Sequence, residues 1–151
     1  MINDRIKQMP ARSPGNGRQP FVLVVDDEKR IADTLALILA SKGYGSQAAY
    51  DGTSALEMCR ERTPDLIITD VVMPGMNGIE MAISIRREFA TCRILLFSGQ
   101  AATADMLEEA RGRGHEFEIL AKPVHPEQLL EKVKHLIGPA DGFVASRTRA
   151  K

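Results

Sequence analysis

The segment DLIITDVVMPGMNG, residues 65–78, ends a short apolar run on a carboxylate, Asp70, and follows it with a turn rich in Pro and Gly. Three other segments repeat this pattern of an apolar run that gives way to polar atoms. FVLVV (21–25) leads into Asp26-Asp27-Glu28, RILLF (93–97) into Ser98-Gly99, and EFEIL (116–120) is closely followed by Lys122-Pro123. Taken singly, each has an ordinary explanation. An Asp after a strand is most often a turn former or helix cap, acids favour the start of a helix, Ser-Gly is a common loop, and a lone Lys is a surface charge. Taken together, they bring carboxylates, a hydroxyl and an ammonium to the ends of four strands. Carboxylates gathered at one rim repel one another, and the least costly remedies are a divalent cation and a nearby ammonium. The donors are all oxygens, with no Cys or His in these motifs, which selects Mg²⁺ (or Mn²⁺) over zinc. Mg²⁺ typically takes one or two carboxylates and a phosphate oxygen, leaving one carboxylate free as a nucleophile. Asp70 is the best-placed candidate to form an aspartyl phosphate. Lys122 would neutralise charge on the transferring phosphoryl group, and Ser98 could hydrogen-bond one of its oxygens.

Positioning these groups requires a regular scaffold, and the chain supplies one. Strand-like runs at 21–25, 44–50 (the weaker YGSQAAY), 65–69, 93–97 and 116–120 alternate with helical patterns. Ile31, Leu35, Ile38 and Leu39 share a face of the first helix, Ala55, Leu56 and Cys59 mark the second, and Ile79, Ala82, Ile83 and Phe89 the third. Met106, Leu107 and Ala110 stripe the fourth, and Leu129, Leu130, Val133, Leu136 and Ile137 the fifth. Asn77 with Glu80 resembles a capping box, and Pro126 suits a first helical turn. Near-continuous apolar strands separated by single helices imply an α/β fold, a doubly wound parallel sheet of five strands with five helices. In such sheets ligands bind outside the carboxyl ends of the strands, where the polar groups fall.

Composition bounds the alternatives. The 151 residues are 44% hydrophobic and 26% charged, with zero formal net charge, so no global field favours nucleic acid or a membrane. No apolar run is long enough to span a bilayer and no signal peptide is evident, so a cytoplasmic location is expected. Cys59 and Cys92 lack metal or redox spacing and read as small buried hydrophobes. Residues 1–20 read as a flexible leader, 21–138 as the folded domain and 139–151 as a flexible tail, the boundary marked by the helix-ending Gly138-Pro139.

The motifs VLVVDDE, DLIITDVVMPGMNG, ILLFSG and LAKP, in this order, resemble those of the response-regulator receiver domains of bacterial two-component signalling. The resemblance spans 21–138 and implies the flavodoxin-like strand order 2-1-3-4-5. It also implies that Asp70 is the phosphoacceptor, Asp27 a direct Mg²⁺ ligand, Asp26 its partner through water, and the carbonyl of Val72 a further ligand. Ser98 matches the switch hydroxyl, Lys122 the phosphate-contacting lysine, and Pro74 and Gly78 the turn after the acceptor. The implied donor is a sensor histidine kinase or a histidine phosphotransfer protein. One departure stands out: the family usually places Tyr or Phe where this chain has Ile119, with Phe117 expected two residues earlier on the same strand face.

About a dozen residues follow the last helix, too few for a helix-turn-helix, so the expectation is a stand-alone receiver acting on a downstream protein partner or in a phosphorelay, without direct DNA binding. It would accept and slowly lose a phosphoryl group rather than turn over as an enzyme. The competing class is a Mg²⁺-dependent phosphohydrolase with an aspartyl nucleophile, which needs a second acid beside Asp70 that DVVMP lacks. Val72 and Gln100 flank the acceptor motifs; Val72 either merely packs the loop or, because its methyl groups cannot orient a hydrolytic water, makes the phosphorylated state long-lived.

Overall fold

The computed structural model describes residues 18–99 and 101–140. Five strands alternate with five helices: β1 (Phe21–Val25), α1 (Lys29–Ser41), β2 (Gly45–Ala49), α2 (Gly52–Glu61), β3 (Leu66–Asp70), α3 (Gly78–Glu88), β4 (Arg93–Ser98), α4 (Ala101–Gly112), β5 (Glu118–Ala121) and α5 (Pro126–Ile137). All strand pairs are parallel and the order is β2-β1-β3-β4-β5. The α/β, doubly wound architecture and strand order expected above are therefore the observed ones.

Alternation along the strands explains why the sheet is covered twice. Val22, Val24, Leu66, Ile68, Leu95 and Phe97 point to one face, where Ala32, Leu35 and Leu39 of α1 meet Leu129 and Val133 of α5. Leu23, Val25, Ile67 and Leu96 point to the other, against α2 and α3 and Ala110 of α4. Both faces being apolar, β1 and β3 are buried at every residue and read in sequence as unbroken hydrophobic runs. Cys59 and Cys92 are free thiols within this core, and burial pushes the Cys59 thiol up to about 11.

The caps behave as their sequences imply. The Asn77 side chain accepts from the Glu80 amide at 2.8 Å, and Pro126 opens α5. Four of the five strands shift by one or two residues at an end, and two of these shifts bear on the site. Asp70 is the last residue of β3 rather than a residue beyond it, and β5 starts at Glu118, leaving Phe117 outside the strand. Phe117 is held instead by Arg86 of α3, whose guanidinium lies 4.1 Å from the ring centroid, and by stacking on His115. It precedes the strand, yet it packs against the same core cluster as Ile119, on the side expected from the sequence.

Of the leader and tail, residues 1–17 and 141–151 lie outside the described residues. Arg18–Pro20 are tied to the amino end of the sheet. Asp65 accepts from Arg18 and from the Phe21 amide, both at 2.7 Å, and Gln19 donates to the Gly43 carbonyl. Tyr44 donates to the Gly138 carbonyl at 2.8 Å, fastening the end of α5 at the same end of the molecule, opposite the polar rim.

Candidate functional site: an acidic cluster at the carboxyl end of the sheet

Backbone hydrogen bonds that run past the strand ends set the rim. The Asp26 amide donates to Ala49 at 3.1 Å, the Val71 amide to Phe97 at 3.2 Å, and the Lys122 amide to Ser98 at 3.3 Å. Each prolongs a parallel ladder by one residue, so Asp26, Asp70 and Lys122 leave their strands at controlled positions. Carboxylate oxygens of Asp26, Asp27 and Asp70 come within 4.8 Å of one another. The Lys122 ammonium lies 3.1 Å from Asp70 Oδ1. The Lys122–Pro123 peptide is cis.

Burial makes this grouping costly. Asp26 is 1% exposed and Asp70 8% exposed. Asp26 Oδ1 accepts from the Glu28 amide at 2.9 Å, but its buried Oδ2 has no partner among the described residues. Desolvation, with a smaller contribution from the Asp70 and Asp27 charges, pushes the Asp26 carboxyl above its ordinary range against the opposing pull of the Glu28 amide and Lys122. A buried carboxyl oxygen without a partner among the described residues, facing two further carboxylates, is a donor set suited to a hard divalent cation. The three Asp residues thus fit Mg²⁺ by the chemistry of their atoms.

Two glycines hold the surrounding loops close. A Cβ at Gly78 would lie 2.0 Å from the Asp70 carbonyl oxygen, so the chain after the acceptor can fold back, with the Gly78 amide on the Val71 carbonyl, only as glycine. A Cβ at Gly99 would lie 2.7 Å from Lys122 Cβ, so that glycine lets the Lys122 stem pass the β4–α4 loop. The sequence marked Gly78 as part of a turn, but nothing in it pointed to the packing role of Gly99.

The other expected residues fall as follows. Ser98, half-buried at the end of β4, hydrogen-bonds Thr103 of α4 through a short hydroxyl–hydroxyl contact. Val72 is 57% exposed, and Pro74 is exposed in the loop after β3. Ile119 is half-buried against the core on the α2–α4 side, and Gln100 lies outside the described residues. Beside Lys122, a cleft of about 610 Å³ lined by Ile31, Leu35, Phe97 and Val124 opens between α1 and the segment after β5. Thr103 was missed from sequence: a threonine early in a helix carries no signal of a partner across a loop.

Residues 22–134 match the family model of the response regulator receiver domain. The chain belongs to this family. Solved structures agree. A chemotaxis protein of Vibrio cholerae is 30% identical, aligned over 79% of this chain and 99% of its own, with a TM-score of 0.71. A response regulator of Chloroflexus aurantiacus is also 30% identical, over 80% of this chain and 98% of its own, at 0.69. A receiver domain from Clostridium thermocellum is 27% identical, over 78% and 94%, at 0.70. The receiver domain described here is thus a module of two-component signalling. Among its described residues, no helix is long and apolar enough to cross a membrane.

Proposed function

We infer that this receiver accepts a phosphoryl group on Asp70 from the phosphohistidine of a sensor kinase or histidine phosphotransfer protein. The observation that carries the reading is the Asp26–Asp27–Asp70 cluster with an unpartnered buried oxygen, joined to Lys122 through Asp70. A carboxylate oxygen of Asp70 attacks phosphorus, an O–P bond forms, the donor's N–P bond breaks, and its electron pair stays on the imidazole. Lys122 stands where it can follow the charge of the incoming group, because it already pairs with the nucleophile. Asp26, Asp27, Asp70 and the carbonyl of Val72 would hold Mg²⁺, which when bound offsets the negative charge of the phosphoryl oxygens. Ser98 donates to a phosphoryl oxygen and carries the change in occupancy toward α4. The receiver's output is then a changed surface for a downstream protein partner, or onward transfer of the phosphoryl group.

Intact-mass labelling tests the reading. With Mg²⁺ and acetyl phosphate, wild-type protein should gain one phosphoryl group and Asp70→Asn none, because an amide is not a nucleophile here. Labelling of Asp70→Asn at the wild-type level removes Asp70 from the mechanism. Sustained multiple turnover of a phosphoester by the wild type points instead to a phosphohydrolase.

A further inference from the structure

Helix α4 is held differently from its neighbours. Where α3 buries Ile79, Met81, Ala82, Ile83 and Ile85, the buried residues of α4 among those described are Thr103 and Ala110. Met106 and Leu107 are only half-buried. With so little apolar area to anchor it, this helix belongs to the low-stability end of the fold, where small changes in one contact shift its position. One of its two buried anchors is polar. Thr103, 2% exposed, shares a hydrogen bond with Ser98, the hydroxyl at the rim. The ring that commonly couples to such a hydroxyl is absent, since Ile119 stands in its place.

We propose that Thr103 is a positioning residue that latches the Ser98 hydroxyl to α4 when Asp70 is unmodified, so that engagement of Ser98 by a phosphoryl group loosens the first turn of α4. The proposal rests on the reading of Asp70 as phosphoacceptor. Its physical basis is hydrogen-bond arithmetic. Either hydroxyl can be the donor in this contact; giving the one Ser98 proton to a phosphoryl oxygen ends donation to Thr103 in one case, and in both cases turning the Oγ toward the rim lengthens the contact. The Ser98–Thr103 contact is therefore weakened or broken as the acceptor fills, and the helix it anchors has few apolar contacts to keep it in place. Ile119, an aliphatic residue packed on the same side of the sheet as Met106 and Leu107, offers no hydroxyl or ring edge to replace the link.

The test uses Thr103→Val, which keeps the shape and removes the hydroxyl, and Thr103→Ser, which restores it. Beryllium fluoride with Mg²⁺ serves as the phosphoryl mimic. Without the latch to break, Thr103→Val should bind the mimic about five-fold more tightly than wild type, the factor set by one net neutral hydrogen bond. In the free protein, amides of α4 should exchange faster in Thr103→Val, approaching the rate of mimic-bound wild type, while Thr103→Ser follows wild type in both measurements. Ser98→Ala cuts the same bond from its other side, so free Ser98→Ala and the double variant should show the same α4 exchange as Thr103→Val, with no further increase. Unchanged or weaker mimic binding by Thr103→Val, or additive exchange in the double variant, overturns the latch. Failure of wild type to bind the mimic at all overturns the reading of Asp70, and the latch with it. Should Thr103→Val not fold, Ser98→Ala with wild-type α4 exchange is the refuting result.

Discussion

Asp26→Asn should stabilise the protein in the absence of divalent cations. The wild-type residue is 1% exposed, one of its oxygens has no partner among the described residues, and the carboxylates of Asp27 and Asp70 lie within 4.8 Å. An unpartnered buried polar atom costs about 1–3 kcal/mol, and more when charged. A like charge at this distance adds about 3 kcal/mol at an effective dielectric constant of about 20, before the offset from Lys122. Asparagine keeps the acceptor for the Glu28 amide, removes the charge and presents N–H donors to the other carboxylates. A net gain of about 3 kcal/mol follows, or roughly 10 °C in melting temperature for a domain of this size. The pH dependence has a definite sign. Because the Asp26 carboxyl is raised on folding, its protonation favours the folded state, and that stability is lost as pH rises through its folded-state pKa. The advantage of Asp26→Asn should therefore grow as pH rises through the folded-state pKa of Asp26 and shrink as pH falls through it. Mg²⁺ at about 100 times its dissociation constant for the wild type should raise wild-type stability by about 2.7 kcal/mol and the variant by less, because Asp27, Asp70 and the Val72 carbonyl remain, narrowing the gap between them. Thermal melts in chelator and in Mg²⁺, across pH, check this. A variant that melts at or below wild type in chelator would show that the buried carboxylate carries no strain, and would refute the argument.

Gly78→Ala places a Cβ 2.0 Å from the Asp70 carbonyl oxygen, a backbone atom that cannot swing aside, so stability should fall by about 3 kcal/mol or more and phosphorylation with it. Urea unfolding measures the first, and a wild-type midpoint would mean the loop relaxes freely. Val72→Asn puts a polar group on an exposed position beside the acceptor, where it can orient water for in-line attack. The phosphorylated state should then decay several-fold faster, about 1 kcal/mol in the barrier, and equal decay after donor removal would leave Val72 with no part in the lifetime.

What could be read from the sequence, and what could not, divides along a physical line. The sheet was legible because burial on both faces writes itself into every residue of FVLVV and LIIT, and the rim because charged residues interrupt those runs at matching places. The sequence also showed that Asp26, Asp27 and Asp70 must meet, since parallel strands joined by helices bring their carboxyl ends to one edge. Contacts between polar groups of different elements were not legible. Phe117 shares the Ile119 side of the sheet as its alternation implies, but that it lies before the strand and carries Arg86, from a helix about thirty residues earlier, over its ring could not be read. Gly99 looks like any loop glycine until the Lys122 stem is seen passing it. Arg18 reads as one more basic residue of a polar leader until Asp65 receives it. Each of these depends on separations of a few ångströms set by the packing of whole elements, which local pattern does not encode. Thr103 is the instructive middle case. Its hydroxyl contact with Ser98 was invisible, but the weakness that gives the contact its leverage was not. Met106, Leu107 and Ala110 make a sparse stripe beside Ile79, Ala82 and Ile83 in the preceding helix or Leu129, Leu130 and Val133 in the last, and a sparse stripe buries little. A helix with a thin apolar face, beginning a few residues beyond a hydroxyl at a phosphoryl site, is the element whose position a single hydrogen bond can decide.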